Sequence, residues 1–169
     1  VLSAQKKLLG QLFAALLLIV FTNNRIIGFS SILDINILPY WVSVCFTLFV
    51  YILIINAYNL IDGVDGLAGS IALCASAIFT YLFVMAGDLS LATIAIALCG
   101  ALIAFLRKNF STAQKIFMGD TGSMVVGFLL AFFAISFIHI NQVSSVETYP
   151  IAPPDLSFAL LFYPLIDTL

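Results

Sequence analysis

The stretch Asn56-Ala-Tyr-Asn-Leu-Ile-Asp-Gly-Val-Asp-Gly-Leu-Ala-Gly69 carries the densest polar chemistry of the chain. Asn56, Asn59, Asp62 and Asp65 recur every three residues, and Gly63, Gly66 and Gly69 keep the same interval. Neighbours at i and i+3 share a helix face, so Asp62 and Asp65 can point the same way. The whole series would drift around an ideal helix, and glycines weaken one. The spacing therefore predicts a helix end that breaks into a Gly-rich turn, with amides and carboxylates clustered on it. Either Asp-Gly alone is an ordinary turn dipeptide. Set flush against apolar segments on both sides, however, a pair of carboxylates is costly unless a cation neutralises it. Oxygen donors without His or Cys select Mg²⁺, or Mn²⁺, over zinc.

A second stretch, Lys115-Ile-Phe-Met-Gly-Asp-Thr-Gly-Ser-Met124, places Asp120 between Gly119 and Gly122 just before an apolar segment. Taken alone, Asp120 is a helix cap. A helix start flanked by glycines also suits a phosphate, and Arg107, Lys108 and Lys115 stand close by in sequence. Asp62, Asp65 and Asp120 together with these cations and glycines predict a metal-assisted diphosphate site.

The elements that must position these groups are membrane helices. Of the 169 residues, 63% are hydrophobic and 8% charged, with a mean hydropathy of +1.21. A soluble domain carries about 25% charged residues. A soluble globular fold, a disordered tail and a nucleic-acid binder are thereby excluded. Six apolar segments fit the roughly 20-residue requirement of a spanning helix: 8–22, 40–55, 67–86, 91–106, 122–139 and 156–169. The first is short and holds Gln11, which predicts a tilted or partly inserted segment; Pro164 kinks the last. The expected fold is all-α, a polytopic transmembrane bundle forming one integral-membrane domain over residues 1–169. Cys45, Cys74 and Cys99 lie inside apolar runs and read as small buried residues rather than a bridge or metal ligands.

Charge fixes the orientation. Lys6 and Lys7 precede the first segment, and Arg107, Lys108 and Lys115 lie between the fourth and fifth. An even number of crossings separates these regions, so they share a side, with Arg25 opposite. The positive-inside rule makes the shared side cytoplasmic. Asp62, Asp65, Asp120 and Asp167 fall on that side. Asp34, Asp88, Glu147 and Asp155 fall on the other, in turn-like contexts. His139 reads as an interfacial polar residue at the far end of its helix, and Tyr40 and Trp41 as interface anchors.

Residues 56–68 and 116–123 together resemble the polyprenyl-phosphate N-acetylhexosamine-1-phosphate transferases (glycosyltransferase family 4). The nearest resemblance is to the undecaprenyl-phosphate GlcNAc-1-phosphate branch, with phospho-MurNAc-pentapeptide transferase as a relative. Residues 2–11 and 164–168 are also similar to family segments. The resemblance implies a bacterial inner-membrane enzyme, multi-pass, with its site facing the cytoplasm. There an undecaprenyl phosphate attacks the β-phosphate of a UDP-N-acetylhexosamine and UMP leaves, the first step of a cell-envelope polysaccharide pathway. It implies Asp120 as the main Mg²⁺ ligand, with Asp62 also on the metal. Asn56, Asn59 and Asp65 would hold the metal-diphosphate or the nucleotide-sugar, Lys7 would lie near the phosphates, and Phe117 near the uracil. The implied partners are the UDP-sugar, undecaprenyl phosphate, membrane lipid and, in a homodimer, a second copy.

Departures from the family pattern bear on activity. The family carries an adjacent Asp-Asp pair before the segment matched by residues 2–11, and a late loop with Arg and a His cluster; neither is in this sequence. Gln5 stands where Arg is usual, and Ser111-Thr112 where many relatives have His-Pro. The expectation is an inactive stretch within an active longer parent. A CDP-alcohol phosphatidyltransferase would need an arginine soon after the Asp-Gly repeat, and none occurs between Asp65 and Arg107. A cation-coupled transporter is the alternative from another class; its carboxylates would sit near the midplane rather than at one face.

Overall fold

The computed structural model describes residues 3–28, 37–112 and 115–143, all within a helical bundle without strands. Its helices are α1 (Ala4–Thr22), α2 (Tyr40–Ile61), α3 (Leu67–Met85), α4 (Leu89–Asn109) and α5 (Gly119–Val143). At about 1.5 Å per residue they run from roughly 28 to 38 Å, enough to cross an apolar layer of about 30 Å. All five are long and apolar enough to span a membrane. The sixth expected segment, 156–169, lies outside the described residues, as do Asp34, Glu147, Asp155 and Asp167.

Apolar side chains cover these helices all round because one part of each faces neighbours and the other faces lipid. Phe13, Phe21, Trp41, Phe49 and Ile103 are exposed on the outer surface. Cys45 and Cys74 are exposed there too, and only Cys99 is buried. This corrects the expectation of three buried cysteines: a lipid-facing helix position is as apolar in sequence as a core position.

The packing is built around α5. It lies against α2 and α3, while α4 covers α3 and α1 rests on α2. Short turns at 62–66 and 86–88 force α2, α3 and α4 into antiparallel neighbours. Asp88 caps α4, its Oδ1 accepting from the Leu91 N–H at 3.0 Å. Between α3 and α5, Phe133 meets Phe79 and Phe83 with ring centroids 5.9 Å away in each case. Between α2 and α5, Tyr51 stacks on Phe128 at 5.4 Å.

One position sets the closeness of α2 to α5. A Cβ added at Gly127 would lie 3.0 Å from the Tyr58 Cβ and 3.1 Å from the Ile55 Cα. Backbone cannot rotate away as a side-chain tip can. Lipid tails are as apolar as the core, so close small-residue packing matters more here than apolar burial itself.

At one end of the bundle α1 closes on Asn23, a left-handed residue whose N–H returns to the Ile19 carbonyl at 2.8 Å. The chain then continues in non-helical conformation, and side chains of α2 and α5 bind its backbone. The Ile26 N–H donates to Thr47 Oγ1 at 3.0 Å, and Ser43 Oγ donates to the Ile26 carbonyl at 2.5 Å. Gln142 accepts from the Ile27 N–H at 2.8 Å and donates to the Gly28 carbonyl at 2.9 Å. His139 Nδ1 donates to the Arg25 carbonyl at 3.1 Å. Arg25 reaches Ser43 Oγ at 3.0 Å and lies over the Tyr40 ring, 4.7 Å from its centroid. His139 is thus a polar tether at that end, as its place in the sequence indicates.

Gly127→Val is expected to lower the thermal midpoint in detergent by the equivalent of about 1–3 kcal/mol of overpacking. Gly100→Val, where an added Cβ meets nothing within 4 Å, is expected to change it little. Equal midpoints for the two variants would contradict the close α2–α5 approach.

Candidate functional site

The opposite end of the bundle gathers the residues singled out in the sequence. Helix α2 continues past the expected Ile55 to Ile61, so Asn56 and Asn59 are helical and Asp62 follows the last turn. The chain turns through 62–66 and restarts as α3 behind Gly66, whose φ is +73°. A side chain there would be strained and would also meet the Phe110 ring. Tyr58 fixes the turn from beneath, its buried hydroxyl donating to the Ala68 carbonyl.

The start of α5 faces this turn. Asp120 lies in its first turn, where a carboxylate suits the helix dipole. Asn59 Nδ2 donates to Ser123 Oγ at 2.5 Å, and that hydroxyl reaches the Gly119 and Asp120 carbonyls at 3.1 and 3.2 Å. The Asp62 carboxylate accepts from the Gly119 N–H and feels the charge of Asp120. Partial burial raises the Asp62 pKa above the ordinary carboxylate value; the Gly119 hydrogen bond opposes this and the Asp120 charge adds to it. Two carboxylates from residues far apart in sequence thus approach one another, with their charges unfavourably coupled.

Lysines balance the rim. Lys7, at the start of α1, is ion-paired with Asp120. Lys115 is ion-paired with Asp65 and lies over the Phe117 ring, 5.3 Å from its centroid. Phe117 is 74% exposed, so this ring is open to a planar ligand. Asn109, buried at the end of α4, donates to the Ile116 carbonyl at 2.8 Å and holds the Phe117 segment.

Of the expected residues, Asp62, Asp120, Asn59 and Lys7 come together at the mouth between α1, α2 and α5. Asp65 is turned to Lys115, on the side of Phe117. Asn56 lies one helical turn inward and stays exposed, its amide donating to Gln11 Oε1 at 3.2 Å and to the Ile52 carbonyl at 2.7 Å. Among the described residues, no three Asp, Glu, His or Cys side chains gather as a metal-holding group. The Asp62–Asp120 pair is nevertheless a hard-oxygen set of the size Mg²⁺ uses when substrate phosphates and water complete its shell.

Ser123, Gln11 and Asn109 escaped the sequence-based selection of site residues. Ser123 had a signal, lying one turn after Asp120 in the Gly-Asp-Thr-Gly-Ser run. Gln11 had one too, as a polar residue inside an apolar span. Asn109 had none, because a polar residue at a helix end is ordinary.

The chain matches glycosyl transferase family 4 over residues 1–138. It is 38% identical over 133 residues to a phospho-N-acetylmuramoyl-pentapeptide-transferase of Desulforamulus reducens, covering 75% of this chain and 39% of that protein. To the protein of that name from Bacillus cytotoxicus it is 37% identical over 139 residues, 79% of this chain and 42% of the relative. To that from Staphylococcus aureus it is 29% identical over 171 aligned positions, 94% and 53% respectively. The chain therefore spans about half or less of the length of these curated relatives. No solved structure matches it.

Lys7→Met and Lys115→Met are each expected to change stability little, since both pairs are open to solvent. Tyr58→Phe is expected to cost more, about 1 kcal/mol, because it removes a buried hydrogen bond. Denaturation of the three purified variants in detergent checks the order, and a lysine variant less stable than Tyr58→Phe would overturn it.

Proposed function

The chain belongs to glycosyl transferase family 4, and from that we propose that it forms part of a membrane transferase moving a sugar-1-phosphate from a UDP-N-acetylhexosamine to a polyprenyl phosphate. The observation that carries this reading is the convergence of Asp62 and Asp120 beside Lys7 at one end of an apolar bundle. A site at the membrane face suits a reaction in which one substrate is confined to lipid and the other is dissolved in water. An oxygen of the acceptor phosphate, undecaprenyl phosphate in this reading, attacks the β-phosphorus of the donor. The bond from that phosphorus to the bridging oxygen breaks, and UMP leaves with the electron pair.

Phosphoryl transfer of this kind asks the protein mainly for positioning and charge stabilisation. Asp120 and Asp62 would hold Mg²⁺, with Mn²⁺ as a substitute. The bound ion would offset negative charge on the diphosphate. Lys7, beside Asp120, sits where an ammonium can meet a phosphate oxygen. Asn59 keeps the start of α5 against the end of α2 through Ser123. Phe117 offers an exposed ring for a nucleobase, and Lys115 holds Asp65 next to it. The basic cluster Arg107, Lys108 and Lys115 belongs to the same end, which the positive-inside rule makes cytoplasmic in a bacterial inner membrane.

The motif likeness of residues 56–68 and 116–123 supports UDP-GlcNAc as donor. The names of the three relatives favour a second reading, in which the donor is a UDP-MurNAc-pentapeptide. Grouping of the carboxylates at one end, rather than at mid-membrane, speaks against ion transport.

The test is UMP release by the full-length protein in detergent with undecaprenyl phosphate, Mg²⁺ and each donor in turn. Asp120→Asn is expected to reduce release by on the order of 100-fold or more, and EDTA to abolish it. The donor that turns over decides between the two sugars. No UMP from either donor by folded full-length protein would overturn the transferase reading.

A further inference from the structure

Side chains of α1, and of the segment after it, meet α5 at a nearly constant sequence separation, so the two helices point the same way. Lys7 meets Asp120 and Gln11 meets Met124, each pair 113 residues apart. Past the end of α1, Asn24 meets Ser136, 112 apart, at 3.0 Å. Lys7 and Gln11 are four apart on α1, as Asp120 and Met124 are on α5. The two contacts are therefore successive rungs on matching faces.

The inner rung is the directional one. Gln11 is only 9% exposed. Its Nε2 donates to Met124 Sδ at 3.3 Å and its Oε1 accepts from Asn56 Nδ2 at 3.2 Å. One side chain thus ties α1 to α5 and to α2. The other buried residues of α1 are Ala15 and Ile19, whose packing holds α1 against its neighbours but lacks the directional partners of a hydrogen bond. Polar bonds inside an apolar layer have defined partners and resist both a slide and a rotation.

We propose that Gln11 is a positioning residue, which fixes the axial and rotational setting of α1 so that Lys7 stands against Asp120. This rests on the transferase reading only for its consequence in turnover; the placement itself is a property of the bundle. The same amide accepts from Asn56, an exposed residue of α2, and so links α1 to α2 below the site.

Two experiments on the full-length protein test it. In the first, Gln11→Leu and Gln11→Met, which fill the space without the amide, are each expected to lower kcat for UMP release about tenfold with little change in donor KM. In a Lys7→Met background the same substitutions are expected to lower it by less than about twofold, because the residue they act through is gone. A tenfold loss in both backgrounds, or none in either, would overturn the proposal. In the second, cysteines at Lys7→Cys and Asp120→Cys, in protein with Cys45, Cys74 and Cys99 replaced by Ala, are joined by a short bis-methanethiosulfonate. Gln11→Leu is expected to slow this cross-link several-fold while a Lys7→Cys/Thr121→Cys cross-link gains. An unchanged pattern in both Gln11 variants would overturn it. The cross-link requires no turnover, so loss of the transferase reading would appear as absent UMP release with the cross-link result intact.

Discussion

Within a bilayer a polar group has no water to fall back on, so each must find its partner in the protein. That constraint organises this bundle. Its polar side chains are sparse, and they concentrate where α1, α2 and α5 meet. At one end they bind the backbone that leaves α1: Ser43 and Thr47 from α2, His139 and Gln142 from α5. At the other they join Asn59 to Ser123 and Asn56 to Gln11. Apolar packing brings the helices together, and these bonds decide how they sit.

The close approach at Gly127 and the convergence of carboxylates have one origin. Tyr58 lies against Gly127 on one side of α2, and its hydroxyl reaches forward to the Ala68 carbonyl. A wider α2–α5 spacing would separate Asp62 from the Gly119 N–H and so from Asp120. The charge coupling of the pair therefore depends on a missing side chain two helical turns inward. The lysine at Asp120 comes from α1, which packs lightly on α2, so that part of the site relies on directional bonds instead of volume.

Much of this was legible in the sequence, and the boundaries of legibility have physical causes. Composition yields a membrane protein, because so few charges cannot cover a water-facing surface, and the length of the apolar runs makes it helical. The Asn/Asp/Gly spacing predicts a helix end passing into a turn, and α2 ending at Ile61 before the 62–66 turn is that feature. Ending α2 at Ile55 in the hydropathy reading is a different matter: Asn56 and Asn59 lower the apolar score, yet both side chains have partners and the helix continues. The same logic applies to Gln11, whose polarity suggests a partly inserted α1. With Asn56 and Met124 as its partners, Gln11 sits within a continuous 19-residue α1 that rests on α2. Cys45 and Cys74 show the converse limit, since core and lipid faces are written in the same apolar letters.

The partition of the rim follows from geometry the sequence could not supply. Spacing allows Asp62 and Asp65 to share a face, but the turn begins at Asp62, so the helical relation between them ends there. Asp65 swings toward Lys115 and the Phe117 ring, while Asp62 stays over the start of α5. The result separates two groups of side chains along the mouth of the bundle. Asp62 and Asp120, with Lys7, form a concentration of oxygen ligands and one ammonium suited to phosphates. Asp65, Lys115 and Phe117 form an exposed ring bordered by a paired charge, suited to a planar base.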